Sequence, residues 1–287
     1  MHRTFLYILA VMKKTAPRDL KKFQKEVWGY YRAHGRHDML WRKTKNPYRI
    51  VVSEVMLQQT QVDRVTPKYK EFIQRFPNFS ALARASLADV LSVWQGLGYN
   101  RRALFLKKLA EIVVEKYKGK LPCDPEMLHA LPGIGKATAG SIVAFAFNHP
   151  SVFIETNIRR VFIHFFFGDA KKVSDADISE LVEKVVDQKN PREWYFALMD
   201  YGTMLAVKEK ENPNRKSAHY VKQKKFSGSD RQVRGKIVAL FVKHTSLTAR
   251  AAAKETREPF ERVEKIFAQL KKEGFVRCTG KSFCIVS

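Results

Sequence analysis

MLHALPGIGKATAGSIVAFAF, residues 127 to 147, is the stretch that decides how this chain folds and what it can grip. Leu131-Pro132-Gly133-Ile134-Gly135 separates two segments of helical pattern. Glycines at alternate positions permit a tight turn whose backbone amides point outward, unobstructed by any Cβ. Outward amides at the start of a helix bind phosphate, because unpaired N–H groups and the positive end of the helix dipole meet the anion together. Lys136 adds a full positive charge beside them. An isolated Gly-x-Gly between helices is usually an ordinary turn. The whole string in a basic helical chain reads instead as a clamp on nucleic-acid backbone, through Gly133, Gly135, Lys136 and Thr138. Such a contact positions a protein without reading sequence.

The rest of the chain suits that partner. Among 287 residues, 53 Lys and Arg oppose 28 Asp and Glu, a formal charge of +25, and a polyanion relieves the self-repulsion this creates. From Arg18 to Ala206 apolar residues recur at i, i+3 and i+4, and Pro47, Pro67, Pro77, Pro122, Pro132, Pro150 and Pro191 fall where helices begin or break. The expectation is an all-α domain over 18–206. Residues 207–230, rich in Lys, Asn, Ser and Gly, read as a basic linker. Residues 231–287 read as three helices and a hairpin turning at Thr279-Gly280, the order of a small winged helix-turn-helix domain, a module used for DNA or for protein contact.

The opening apolar run, Phe5 to Met12, is shorter than the ~20 residues that span a bilayer, and is read as a helix or a ragged start rather than a membrane anchor. Cys123, Cys278 and Cys284 lack CxxC spacing, which points to a reducing, cytoplasmic setting. The histidines lack ligand spacing, so no metal site is expected.

Two more stretches carry chemistry. In NPYRIVVSEVMLQQTQVDRVTPKY, Glu54 is flanked by Val51, Val52, Val55, Met56 and Leu57, and desolvation of that kind raises a carboxyl pKa toward the range of a proton donor. WQGLGYNRRALFL, from Trp94, holds a second glycine turn ending in Tyr99.

Together with LPGIGKATA, these strings resemble the helix-hairpin-helix (HhH-GPD) superfamily of DNA glycosylases, and SEVMLQQTQV is similar nearly word for word to its adenine glycosylase branch. The resemblance runs from about Lys22 to Ala206. It implies a two-lobed helical fold acting, as a monomer, on double-stranded DNA with a mismatched or oxidised base pair. Glu54 would protonate N7 of an extruded adenine, Gln58, Gln59 and Thr60 would fill the gap it leaves, and Tyr99 would wedge beside the partner base. Arg101 and Arg102 would contact phosphates. Where bifunctional members carry a catalytic lysine this chain has Ala137, which cannot form a Schiff base, so water is the expected nucleophile and an abasic site the product.

In SVFIETNIRRVFIHFF, Glu155 stands where the resembled enzymes have Asp, followed by Thr156 and Asn157. The extra methylene moves the charge by about 1.5 Å, a scale on which rates change. Glu155 is expected to stabilise the oxocarbenium-like sugar, with Asn157 as its positioning partner.

Two family features are missing. After MDYGTML the usual branch has a four-cysteine iron–sulfur loop, whereas here a lysine-rich segment follows and Lys208, Lys210, Arg215 and Lys216 are expected to take over its DNA contact. In place of the Nudix-like C-terminal domain of adenine glycosylases, the winged-helix-like segment 231–287 is expected. The expected function is a monofunctional adenine glycosylase acting opposite 8-oxoguanine or guanine, with no iron–sulfur cofactor. Alternatives are a thymine or uracil glycosylase acting opposite G, and a non-catalytic DNA-binding regulator.

Overall fold

Proline and polar caps set the helix starts of this chain. Pro17, Pro47, Pro125 and Pro191 each open a helix, where a missing N–H costs nothing, and Ser174 with Asp177 closes a full capping box. The computed structural model describes residues 16–221 and 225–286; the opening segment lies outside them. In chain order the helices are α1 (Pro17–His34), α2 (Pro47–Leu57), α3 (Val62–Arg75), α4 (Phe79–Arg84), α5 (Leu87–Trp94), α6 (Arg101–Tyr117) and α7 (Pro125–His129). They continue with α8 (Lys136–Phe147), α9 (Thr156–Phe166), α10 (Asp175–Val185), α11 (Pro191–Lys208), α12 (Asp230–Lys243), α13 (Ala249–Thr256) and α14 (Phe260–Lys272). The two strands that follow, β1 (Val276–Thr279) and β2 (Ser282–Ile285), pair antiparallel. No helix among the described residues is long and apolar enough to cross a membrane.

The chain divides into two compact units. Of the described residues, the first holds 16–50, 123–129 and 135–221. Its centre is α11, whose Trp194, Tyr195, Ala197 and Leu198 are fully buried, and which packs on α9 and α1. Phe23 of α1 meets Phe162, Phe165, Phe166 and Trp194 edge-on, the geometry that ring quadrupoles favour. Buried Asp200 accepts both terminal nitrogens of Arg42, at 2.7 and 2.8 Å, and the backbone N–H of Arg36, which fixes the segment before α2 to α11. Beyond α11 a 3-10 turn, Pro213–Lys216, packs on α9, and Asn214 is buried there.

Of the described residues, the second unit holds 51–122, 130–134 and 225–286. Short, apolar α5 is its hub, packing on α3, α6 and α12, with Trp94 edge-on to Phe72. The C-terminal helices pack α12 on α13 and α13 on α14. The hairpin closes through Gly280 at φ +63°, and Leu247, just before α13, bridges to Phe283 of β2. Three helices, a hairpin and this bridge give the winged helix-turn-helix order. One proline departs from expectation. Pro67 lies inside α3 rather than at a boundary. Lacking an N–H it forgoes the bond to the Asp63 carbonyl, a loss the helix tolerates because buried Val65, Tyr69 and Phe72 hold its inner face.

Candidate functional site

α2 carries the first candidate group. Val51, Val52, Val55 and Met56 are buried, whereas Glu54 is half-buried between them. The helix ends at Leu57, and its last carbonyls need donors. One arginine supplies them. Arg102 Nη1 donates to the carbonyls of Val55, Met56 and Gln58 at 3.0, 2.8 and 2.5 Å, while Nη2 donates to those of Leu97 and Gly98 and to the Thr60 hydroxyl. Arg102, expected at a phosphate, is instead a buried strut joining the end of α2 to the glycine turn before α6. Burial pushes its pKa down to about 10, Tyr99 draws it back up and Arg64 presses it down further. It remains a cation at neutral pH, at the negative end of the α2 dipole. Sequence could not have singled it out, because neighbouring Arg101 has the same charge and motif.

The backbone around this strut is unusual. Gln59 has φ 52° and Tyr99 φ 47°, the left-handed region that residues with a Cβ seldom enter. Gly96 and Gly98 lie at φ +91° and +72°, and Trp94 Nε1 donates to the Gly98 carbonyl. Gly133 has φ +79°, and a Cβ there would come within 2.9 Å of the Phe105 Cβ. Gln58 Nε2 donates to the Gly133 carbonyl at 3.3 Å, so the end of α2 meets the hairpin turn. Gln58, Gln59, Tyr99, Arg101 and Gly133 all line one cavity of about 1050 Å³. Thr60 is turned toward Arg102, outside that lining. Arg101, also expected at a phosphate, is ion-paired with Glu273 at the end of α14, which accepts from Arg234 as well.

The hairpin runs from α7 through Leu131–Ile134 into α8. Gly135 is the N-cap of α8, with ordinary φ −84°, no side-chain cap and open space around it. Exposed Lys136 and half-buried Ala137 and Thr138 form the first turn. The α8 amides therefore begin without a protein side-chain acceptor at the cap.

Glu155, in the first unit, is the N-cap of α9. Its Oε1 accepts the backbone N–H groups of Asn157 and Ile158 at 2.8 and 2.9 Å, and Oε2 accepts the Asn157 side-chain amide at 3.3 Å. Burial raises the Glu155 pKa above the ordinary carboxylate value, against the two backbone amides and the nearby Arg160 and Arg159 that pull it down. Arg160 Nη1 donates to Asn157 Oδ1 at 2.8 Å and to the Gly202 carbonyl at 2.6 Å. Gly202 is required there, since a Cβ would lie 2.5 Å from the Asn157 carbonyl oxygen. Sequence reading missed Arg160, although its i+3 spacing from Asn157 is a helical pairing signal. It also missed that Lys216, expected at DNA, donates to the Gly168 carbonyl.

An iron–sulfur cluster does not fit this donor set. The chain has three cysteines against the usual four ligands, and adjacent register positions in the hairpin put Cys278 and Cys284 on opposite faces.

Residues 52–188 match the family model described as HhH-GPD superfamily base excision DNA repair protein. The adenine DNA glycosylase of Buchnera aphidicola is 37% identical over 196 residues, which are 67% of this chain and 55% of that protein. The chain thus spans about half the length of that relative. The thymine/uracil-DNA glycosylase of Pyrobaculum aerophilum is 32% identical over 195 residues, 66% of this chain and 85% of that protein. In fold, the solved structure of a thermostable thymine-DNA glycosylase aligns with a TM-score of 0.61 at 24% identity, over 69% of this chain and 93% of that one.

Proposed function

Because this chain belongs to the HhH-GPD superfamily of base excision DNA repair proteins, we propose that it is a monofunctional DNA glycosylase that removes adenine mispaired with 8-oxoguanine or guanine. The observation that carries the reading is that Gln59 and Tyr99, two residues with side chains held in left-handed backbone, line the same cavity. Backbone strain of this kind costs about 1–3 kcal/mol per residue and persists where function uses it. An amide and an aromatic ring on the lining of one cavity suit a duplex from which one nucleotide has been extruded, the ring replacing lost stacking and the amide meeting base edges.

In this reading Glu54 donates a proton to N7 of the extruded adenine and makes it a better leaving group. The bond to the sugar then breaks, water adds to the cationic sugar and gives up a proton that restores the Glu54 acid, and an abasic site remains. Glu155 stabilises that cation. Its Oε1 is engaged by the helix amides, which leaves Oε2, with one longer contact, for the developing charge. Asn157, itself held by Arg160, fixes the carboxylate. Ala137 offers no amine at the position of the bifunctional members' lysine, so water is the nucleophile in this reading. The first turn of α8, with Gly135, Lys136 and Thr138, takes the phosphates.

The test is a panel of labelled duplexes carrying A opposite 8-oxoguanine, A opposite G, and T or U opposite G, each treated with and without alkali. Alkali-dependent cleavage at A is expected. Cleavage at T or U opposite G would favour the second reading, which the Pyrobaculum relative supports. Binding to every duplex with no labile product would leave a DNA-binding regulator. Glu155→Gln is expected to slow excision by about a hundredfold to a thousandfold while DNA affinity holds. A raised pKa means that ionising Glu155 costs folded stability, a cost that sets in as pH rises through the ordinary glutamate value and levels off above the folded one. The variant is therefore expected to melt no lower than the wild type at neutral pH, because glutamine still caps α9 through its oxygen.

A further inference from the structure

The cavity that holds Tyr99 and Gln59 has a second wall, and it comes from the C-terminal segment. Phe226 is 59% exposed on the cavity rim, a large apolar ring left at the surface. Arg231, in the first turn of α12, donates from Nη1 to the Tyr99 hydroxyl at 2.8 Å. Its guanidinium carbon lies 5.9 Å from the Tyr99 ring centroid and 6.0 Å from that of Phe226, so one planar cation, bonded at the hydroxyl end of Tyr99, lies within reach of both rings. The wall is firmly mounted. Val233, Ile237, Val238 and Phe241 of α12 are buried, α12 packs on α5, and Glu273 ties Arg234 to Arg101 across the cavity lining.

Two aromatic rings, a guanidinium and the amides of Gln58 and Gln59 form a set with one evident ligand class. Rings and guanidinium stack on a flat π-system, while amides and guanidinium meet its hydrogen-bonding edge. We infer that Arg231 and Phe226 complete, with Tyr99, a subsite for the nucleobase left unpaired when its partner is extruded. Arg231 acts twice, as a contact to that base and as a positioning residue that sets the tilt of the Tyr99 ring. The inference rests on the base-extruding reading, and it gives the C-terminal segment a part in choosing the opposite base rather than only in holding phosphate.

The experiment compares affinities of the full chain for two duplexes. In one a tetrahydrofuran abasic analogue faces guanine; in the other it faces a second abasic analogue. The wild type is expected to prefer the first by about tenfold, the share of one stacked and hydrogen-bonded base. Arg231→Ala and Phe226→Ala should each cut that preference to about twofold or less, with affinity for the double-abasic duplex held within about threefold. Arg231→Lys should lose preference as well, since it keeps the charge without the planar fork. Thermal melts establish that each variant is folded, and three variants keep the test open if one is not. The inference fails if the preference survives in all three, if both duplexes weaken equally, as a phosphate contact would require, or if both bind tighter, as an obstructing segment would require. Base release by the wild type from A opposite G is scored in parallel. Absence of release with the preference intact removes the glycosylase reading and leaves the subsite standing.

Discussion

Two turns of this chain, one ending at Tyr99 and one leading into α8, use glycine differently. In the turn ending at Tyr99, Gly96 and Gly98 take positive φ, yet a Cβ on either would meet no atom within 4 Å. Those glycines are there for backbone conformation alone, and the turn's product is the aromatic side chain at its end. In the hairpin turn, Gly133 has both a positive φ and a neighbour too close for a Cβ, whereas Gly135 has neither. A glycine that the fold does not require, at the bare start of a helix, is best explained by what approaches from outside. Under the proposed function, the first turn would shape a reader and the second would clear a path to backbone amides.

The strut beneath the first turn offers the largest test of that contrast. Arg102→Lys replaces a fork that serves five backbone carbonyls and one hydroxyl with a single ammonium, and each buried carbonyl left without a donor costs about 1–3 kcal/mol. A loss of about 3 kcal/mol in denaturant unfolding is expected, since the ammonium recovers part of the set. A loss under about 1 kcal/mol would mean that the two turns stand without the strut. Next comes Gly133→Ala, which combines the left-handed cost with overpacking against Phe105, about 2–3 kcal/mol together. Gly98→Ala pays the conformational part only and should cost about 1 kcal/mol. Equal losses at Gly133 and Gly98 would erase the distinction drawn from their surroundings.

Much of this was legible in the sequence because it is local. Proline and capping residues mark helix starts, helical periodicity marks inner faces, and Leu131–Gly135 is a turn by composition. The Thr279-Gly280 hairpin and the three helices before it could be read in the same way. What could not be read depends on distant chain. Arg101 and Arg102 look alike in a string, yet one is paired with Glu273 and the other is buried under six acceptors. Pro67 looked like a helix boundary because its missing N–H is a local fact, while the burial that lets α3 run through it is not. Glu155 shows its charge in sequence but not its engagement as an N-cap, which depends on where α9 starts. Arg231 gave no sign of meeting Tyr99, 132 residues away.

The smallest expected effect bears on the second turn. Lys136 is exposed at the start of α8, so Lys136→Ala should change stability by no more than about 0.5 kcal/mol. If its charge meets a phosphate, the variant weakens binding to matched and mismatched duplexes by the same factor, and the slope of log affinity against log salt becomes shallower by about 1. Gly135→Ala is the sharper companion. The added methyl meets nothing in the folded chain and the φ is ordinary, so the fold should lose only the modest preference for glycine over alanine at a helix N-cap, about 0.5 kcal/mol. DNA affinity should fall further than Lys136→Ala makes it fall, because a Cβ keeps the phosphate away from several amides at once. If Gly135→Ala instead destabilised the fold as much as Gly133→Ala and left DNA affinity unchanged, both glycines would be structural and the second turn would be no different in kind from the first.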